Sequence, residues 1–258
     1  MSFRRAIKRM IERLGYRVSL ERIDPTAPPE YCADGIRTRH NHRFVLDEAY
    51  QAALRRAAQA DPTLAYMRWR LHVALWAASH AVQLEGDFVE CGVNRGFLSS
   101  GIMQYLDWNR RGRRFFLFDT FQGIDESQLS PSEFALGRIE YNRGFSECHD
   151  HAVSNFAEFD GVHIVRGIVP QSLSTVDIDR VAYLSIDMNC AAADAAAVRH
   201  FWPRLSPGGV LLIDDYAYQG YEPTYEVLSQ VIRDLGAQVL SLPTGQGLVL
   251  KTQECVHP

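Results

Sequence analysis

Two hydrophobic periods divide the chain. Over residues 3–17, Phe3, Ile7, Met10, Ile11 and Leu14 recur at helical spacing while Arg4, Arg5, Lys8, Arg9, Arg13 and Arg17 fill the other faces, a pattern that predicts a basic amphipathic helix. Such a helix packs on the domain or a partner subunit, or meets an anionic membrane surface or glycan. Residues 18–43 lose the period. Pro25, Pro28 and Pro29 forbid a long helix, and Arg37, Arg39, His40, His42 and Arg43 form a local basic patch. This stretch reads as a solvated loop or a flap over a ligand. Helical spacing returns over 46–60 and, past the break at Asp61-Pro62, over 64–82, where Leu71, Leu75 and Ala78 share an apolar face. Tyr66, Arg68 and Arg70 either reach a ligand carboxylate or stay on the surface.

From residue 81 short apolar runs alternate with helical patterns. Strands are expected at 88–90, 115–118, 162–166, 181–186 and 210–213, and helices at 97–108, 152–159, 191–202 and 223–235. That beat implies an α/β fold with a parallel, Rossmann-like sheet covered on both faces. The last two strands, 238–242 and 248–251, are too close for a crossover and must form an antiparallel hairpin. The chain thus divides into an N-terminal basic helix and helical cap or lid, 1–80, and a ligand-binding catalytic domain, 81–258. The polar segment 122–150 is long for a connection, and such loops are often lids.

The chemistry gathers where strands end. Asp87-Phe88-Val89-Glu90-Cys91-Gly92-Val93-Asn94-Arg95-Gly96 is a strand closing on a carboxylate, a glycine turn and a helix start. Ligands of open α/β sheets lie outside such carboxyl ends. Gly92 permits the turn and close approach to a ligand, and Gly96 permits tight packing of helix on strand. The spacing E-x-G-x-x-x-G departs from the dinucleotide fingerprint G-x-G-x-x-G, and an anion at Glu90 suits a cationic ligand better than a pyrophosphate. Asp119 ends the second strand, where an acid can accept both hydroxyls of a ribose. Asp187 and Asp214-Asp215 end two strands expected to be neighbours. Three crowded carboxylates repel one another unless a cation arrives or one takes a proton. Oxygen-only ligands suit Mg²⁺, which leaves positions open for vicinal hydroxyls. Each strand-end acid also has a plainer reading as a helix N-cap. Ser99-Ser100 lies in no nucleophile elbow and no Walker pattern occurs. His149, beside Glu147, Asp150 and His151, is either a general base on the lid or a surface residue of a helix start. Tyr216, Tyr218, Tyr221 and Tyr225 form a rim suited to sugar stacking.

Three motifs carry a resemblance. Val89–Gly96, Phe118-Asp119-Thr120-Phe121-Gln122-Gly123, and Leu205-Ser206-Pro207-Gly208-Gly209 through Ile213-Asp214-Asp215-Tyr216 are similar to those of the macrocin O-methyltransferase (TylF/MycF) family. Its members are class I S-adenosylmethionine-dependent enzymes that methylate sugar hydroxyls, several with Mg²⁺. The resemblance implies a mostly parallel sheet with a C-terminal antiparallel hairpin strand. It implies S-adenosyl-L-methionine held by Glu90, Gly92, Asn94, Arg95, Gly96, Asp119, Thr120 and Phe121. It implies magnesium on Asp187, Asp214 and Asp215; from the residues themselves, Asp187 or His149 is expected to take the hydroxyl proton. The chain departs from the family after the fourth strand, where Asp187-Met188-Asn189-Cys190-Ala191 stands in place of Asp-Gly-Asp-x-Tyr.

Bulk properties narrow the alternatives. A net charge of -4 argues against a nucleic-acid protein. Five scattered cysteines without a CxxC read as reduced thiols of a cytoplasmic protein. No apolar run is long enough to span a bilayer, and no signal-peptide pattern opens the chain. The expectation is an O-methyltransferase acting on a hydroxyl of a sugar or a glycosylated or polyhydroxylated metabolite, assembled as a homo-oligomer. The rival is a non-catalytic cofactor-binding module that scaffolds a glycan or natural-product assembly complex. A rival of that kind predicts Asp187, Asp214 and Asp215 dispersed or serving only as caps. A nicotinamide oxidoreductase is disfavoured by Glu90 and by the closing hairpin.

Overall fold

Strands of the α/β body come together as a seven-stranded sheet in a computed structural model that describes residues 7, 10–15 and 30–252. The strands are β3 (Asp87–Cys91), β4 (Phe115–Asp119), β5 (Val162–Arg166), β6 (Val181–Ile186), β7 (Leu205–Ile213), β8 (Leu240–Ser241) and β9 (Gly247–Leu250), following a small N-terminal hairpin of β1 (Tyr31–Ala33) and β2 (Ile36–Thr38). Their order is β5-β4-β3-β6-β7-β9-β8. The first five run parallel, and β9 is antiparallel to both β7 and β8. This is the expected α/β, Rossmann-like sheet closed by an antiparallel hairpin strand. The order reverses between β3 and β6, which opens a crevice beyond their carboxyl ends. β7 starts five residues earlier than the sequence predicts. The Pro207-Gly208-Gly209 segment does not precede the strand but bulges from it, shown by the register jump from Val181–Leu205 to Tyr183–Val210.

Side-chain alternation builds two apolar layers. On one face Phe88, Phe115, Leu117, Tyr183, Val210 and Leu212 pack under helices α1 (Glu48–Ala60), α2 (Arg68–Ala81) and α3 (Phe97–Leu106). On the other, Val89, Phe116, Phe118, Leu184, Ile186 and Leu211 pack under α7 (Ala191–Phe201) and α8 (Glu222–Asp234). Successive strand residues point to opposite faces, so the nearly continuous apolar runs of β3, β4 and β6 fill both. Leu71, Ala74 and Ala78 of α2 lie in the same layer as Phe88 and Val210, so the expected boundary near residue 80 runs along a shared apolar layer.

Segment 122–150 carries α4 (Pro131–Ala135) and α5 (Arg138–Asn142), and α6 follows at His149–Phe156. Ser130 and Glu133 close a capping box on α4. Two differences from the sequence reading stand at the N-terminal end. The stretch 18–43 contains a hairpin turning on Asp34-Gly35, both at positive φ. The basic helix over 3–17 lies largely outside the described residues, of which 10–13 are helical. Among the described residues no helix is long and apolar enough to cross a membrane.

Candidate active site

A cleft of about 880 Å³ opens at the carboxyl ends of β3, β4, β6 and β7. Glu90, Gly92, Asn94, Arg95, Asp119, Thr120, Phe121, Asp187, Asp214 and Asp215 all line it, so the strand-end carboxylates gather at one place. Gly96 lies just behind the wall.

The β3–β4 half is held by its own backbone. Asp119 Oδ2 accepts from the amides of Val93 (2.6 Å) and Asn94 (2.7 Å), and Oδ1 accepts from Phe121 N (2.6 Å). One carboxylate therefore clamps the turn after β3 to the turn after β4. Gly92 at φ 93° brings the backbone against β6, since a Cβ there would lie 2.0 Å from the Asp187 carbonyl oxygen. Its backbone thus packs against a neighbouring strand end while also lining the cleft. A Cβ on Gly96, also at φ 93°, would meet the Phe156 ring at 2.3 Å, so that glycine serves the contact of α3 with α6. Asn94, Phe121 and Asn189 hold left-handed conformations two or three residues past β3, β4 and β6. Strain of this kind collects at functional sites. Glu90 is buried and accepts from Ser99 Oγ. Burial, reinforced by Asp119 and Asp214, pushes its carboxyl up to about 8.

At the β6–β7 half, long-range partners do the holding. Asp214 Oδ2 faces Arg70 Nη1 at 3.0 Å and Oδ1 faces Gln246 Nε2 at 3.0 Å. Arg70 Nε in turn reaches Asp34 Oδ1 at 2.8 Å, and the Arg70 amide donates to Asp34 Oδ2 at 2.7 Å. Arg70 is buried. Burial pulls its pKa down, but Asp214 and Asp34 more than offset this and keep the guanidinium charged. Arg70 thus reaches the chain's own carboxylates, not the surface. Asp187 is raised well above the ordinary carboxylate range by burial and by Asp214 and Asp215, and Asp215 is pushed up to about 7 by burial and Asp214. Tyr221 donates its hydroxyl to Asn189 Oδ1, which puts the family-divergent Asn189 in contact with the tyrosine rim.

The loop 122–150 folds over this half. Glu133 Oε1 accepts from the Ala191 amide at 2.8 Å, at the start of α7. Arg138 lies 3.5 Å from the centroid of the Tyr221 ring and donates to the Gly220 carbonyl at 2.8 Å. Tyr141, Tyr218 and Tyr221 line the cleft, whereas Tyr216 is buried beneath it against Ser229. His149 is not brought to Asp187. It opens α6 with its ring edge on Phe121, 5.3 Å between centroids, and Nδ1 3.5 Å from Asp150. Sequence reasoning missed Glu133, Arg138 and Asp34, and undervalued Arg70 and Gln246.

The donor set bears on the ligands the resemblance implies. A cleft with a buried carboxyl facing a glycine turn fits a sulfonium amino acid, and the apolar wall of Phe121, Ile168 and Val169 fits a heterocycle. The trio Asp187, Asp214 and Asp215 does not fit magnesium. A magnesium ion roughly 2 Å from Asp214 Oδ2 would lie within about 5 Å of the guanidinium nitrogen already bonded there. At an effective dielectric constant of about 20, the two cations would repel by roughly 3 kcal/mol. Among the described residues, no three His, Cys, Asp or Glu side chains are arranged to hold a metal ion.

The sequence model of a family described as Macrocin-O-methyltransferase (TylF) matches residues 14–230. Mycinamicin III 3''-O-methyltransferase of Micromonospora griseorubida is 27% identical over 193 residues, covering 69% of this chain and 75% of its own. Demethyldecarbamoylnovobiocin O-methyltransferase of Streptomyces niveus is 28% identical over 166 residues, 57% of this chain and 62% of its own. Among solved structures, the O-methyltransferase NovP superposes with a TM-score of 0.64 at 22% identity, covering 73% of this chain and 82% of that one. A calicheamicin methyltransferase gives 0.52 at 16% identity over 82% of this chain and 94% of that one. At these identities the superpositions speak for the fold.

Proposed function

Because the chain belongs to the macrocin O-methyltransferase (TylF) family, and is thereby an S-adenosylmethionine-dependent methyltransferase, we propose that it methylates a hydroxyl on the sugar of a glycosylated natural product. The convergence of Asp187, Asp214 and Asp215 on the cleft that Glu90 and Asp119 also line carries this reading. None of the three caps a helix. Relatives named for methylation of mycinamicin and of a novobiocin precursor support the acceptor class.

S-adenosylmethionine supplies an electrophilic methyl on a sulfonium. Glu90, protonated in the free chain below about 8, would shed that proton in the field of the sulfonium and neutralise it, and the Gly92–Gly96 turn leaves room for the amino-acid part. Asp119, aimed by three backbone amides, would accept the ribose hydroxyls with its remaining lone pairs. At the other half, Asp187 takes the acceptor's hydroxyl proton. Asp215 beside it sets the local field, and burial with the neighbouring carboxylates raises the proton affinity of both above the ordinary carboxylate range. Tyr141, Tyr218 and Tyr221 offer faces for a sugar ring. Alignment of donor and acceptor across one cleft supplies much of the rate, up to about 7–11 kcal/mol in favourable cases. No step runs through magnesium, because Asp214 already faces Arg70 and Gln246.

The test is transfer of a deuterated methyl from labelled S-adenosylmethionine to a panel of deoxysugar-bearing macrolide and aminocoumarin glycosides, read by mass spectrometry. The label is expected on a sugar oxygen. Fragmentation that places it on the aglycone or on nitrogen overturns the acceptor assignment.

A further inference from the structure

We propose that Arg70, held by Asp34 of the N-terminal hairpin, is the resident cation of the acceptor half, and that it takes the place of a divalent metal in this chain. The inference rests on the methyltransferase reading of the cleft. Four observations carry it. Both oxygens of Asp214 are engaged, one by Arg70 at 3.0 Å and one by Gln246 at 3.0 Å. Asp34 grips Arg70 twice, through Nε at 2.8 Å and the backbone amide at 2.7 Å; the amide bond anchors the Asp34 carboxylate, and the guanidinium cannot swing away from Asp214 without also breaking its Nε bond. The two side chains are almost fully buried, at 7% and 1% exposure. The Tyr218 ring covers the guanidinium at 5.5 Å, on the side facing the cleft's tyrosine rim.

The sequence is consistent with that exchange. Where the resemblance implies a second Asp two residues after Asp187, this chain has Asn189. One negative charge fewer stands near the two that Asp187 and Asp215 supply, and a single guanidinium has less to balance. Asp34 occupies a left-handed turn position, φ 55°, that Asp and Asn tolerate well, so the hairpin presents its carboxylate to α2 at little conformational cost. Arg70 is a positioning residue. It fixes Asp214, and through Asp214 the place of Asp187 and Asp215, without itself touching the acceptor.

Electron paramagnetic resonance of Mn²⁺ added to the metal-stripped full chain tests this without any acceptor. The wild type should leave Mn²⁺ free at equimolar, submillimolar concentrations. Arg70→Gln should bind one Mn²⁺ at least 10-fold more tightly than the wild type, and Arg70→Lys, which keeps the charge, should behave as the wild type. If Arg70→Gln does not fold, Asp34→Asn loosens the same guanidinium and should show a smaller gain in Mn²⁺ affinity. With labelled acceptor, wild-type turnover should be unchanged by EDTA. Tight Mn²⁺ binding by the wild type, or EDTA-sensitive turnover restored by Mg²⁺, overturns the inference. Failure of the sugar transfer assay with the Mn²⁺ results intact would instead strike the acceptor assignment.

Discussion

The two halves of the cleft solve the same electrostatic problem differently. At β3 and β4 the acids are handled locally. Asp119 spends its charge on three amides within 26 residues of it, and Glu90 sits buried beside Ser99, nine residues away. At β6 and β7 the acids depend on groups brought from far along the chain. Arg70 is 144 residues from Asp214, and Gln246 is 32 away. The local half should keep its geometry when side chains of the acceptor half are changed. The distant half exists only when the hairpin, α2, β7 and β9 are all in place. Cofactor binding should therefore be robust to changes in the acceptor half, while turnover should be sensitive to nearly all of them.

The largest expected effect separates the halves outright. Asp187→Asn should lower kcat by about 10²–10⁴-fold, the usual worth of a positioned base, while leaving S-adenosylmethionine affinity within a few-fold. It should also raise Tm, because one of three crowded carboxylates is gone. A kcat close to that of the wild type in steady-state assays would remove Asp187 from the proton transfer. Next comes Asp119→Ala, which orphans three amides. Stability should fall by roughly 3 kcal/mol, or about 6–12 °C in Tm by calorimetry, together with cofactor affinity.

An effect of another kind belongs to Glu90 and is seen through pH. Burial raises its carboxyl from 4.5 to about 8 in the folded chain. Between those values the folded state holds a proton that the unfolded state has released. Stability from this group is therefore full below about 4.5 and is lost as pH rises toward 8, at up to about 1.4 kcal/mol per unit. Glu90→Gln lacks this dependence. In ligand-free denaturant unfolding, the variant should gain on the wild type from pH 5 to pH 8 and then hold its lead. A gap that stays constant with pH would mean that Glu90 is ionised throughout. The smallest change is Tyr221→Phe, which removes the hydroxyl bonded to Asn189. It should cost about 1 kcal/mol, seen as a higher acceptor KM with little change in kcat; an unchanged KM would take Tyr221 off the acceptor's path.

The same contrast explains what could be read from the sequence. The β3 turn, Asp119 and the closing hairpin are local patterns of glycine, acid and apolar period, and the fold follows from them. β5 and β6 lie where the periodicity puts them. The Arg70–Asp34 and Arg70–Asp214 pairs have no such signature, because nothing in the spacing of an arginine tells which strand end it will face. Asp34-Gly35 was a legible signal, since Asp-Gly between short β-prone runs is a hairpin turn. The prolines just upstream obscured it. His149 drew attention as a titratable group in a long loop, yet its ring packs on Phe121 and is not among the groups that line the cleft. The magnesium trio was read from three acids alone, without the arginine that reaches one of them.

Calorimetric titration of S-adenosylmethionine into the wild type, Asp119→Ala and Asp187→Asn tests the division of the cleft most directly. One saturable site per chain is predicted in the wild type, at least 10-fold weaker in Asp119→Ala and nearly unchanged in Asp187→Asn. No binding at millimolar cofactor, or binding lost on changing Asp187 and kept on changing Asp119, would contradict it.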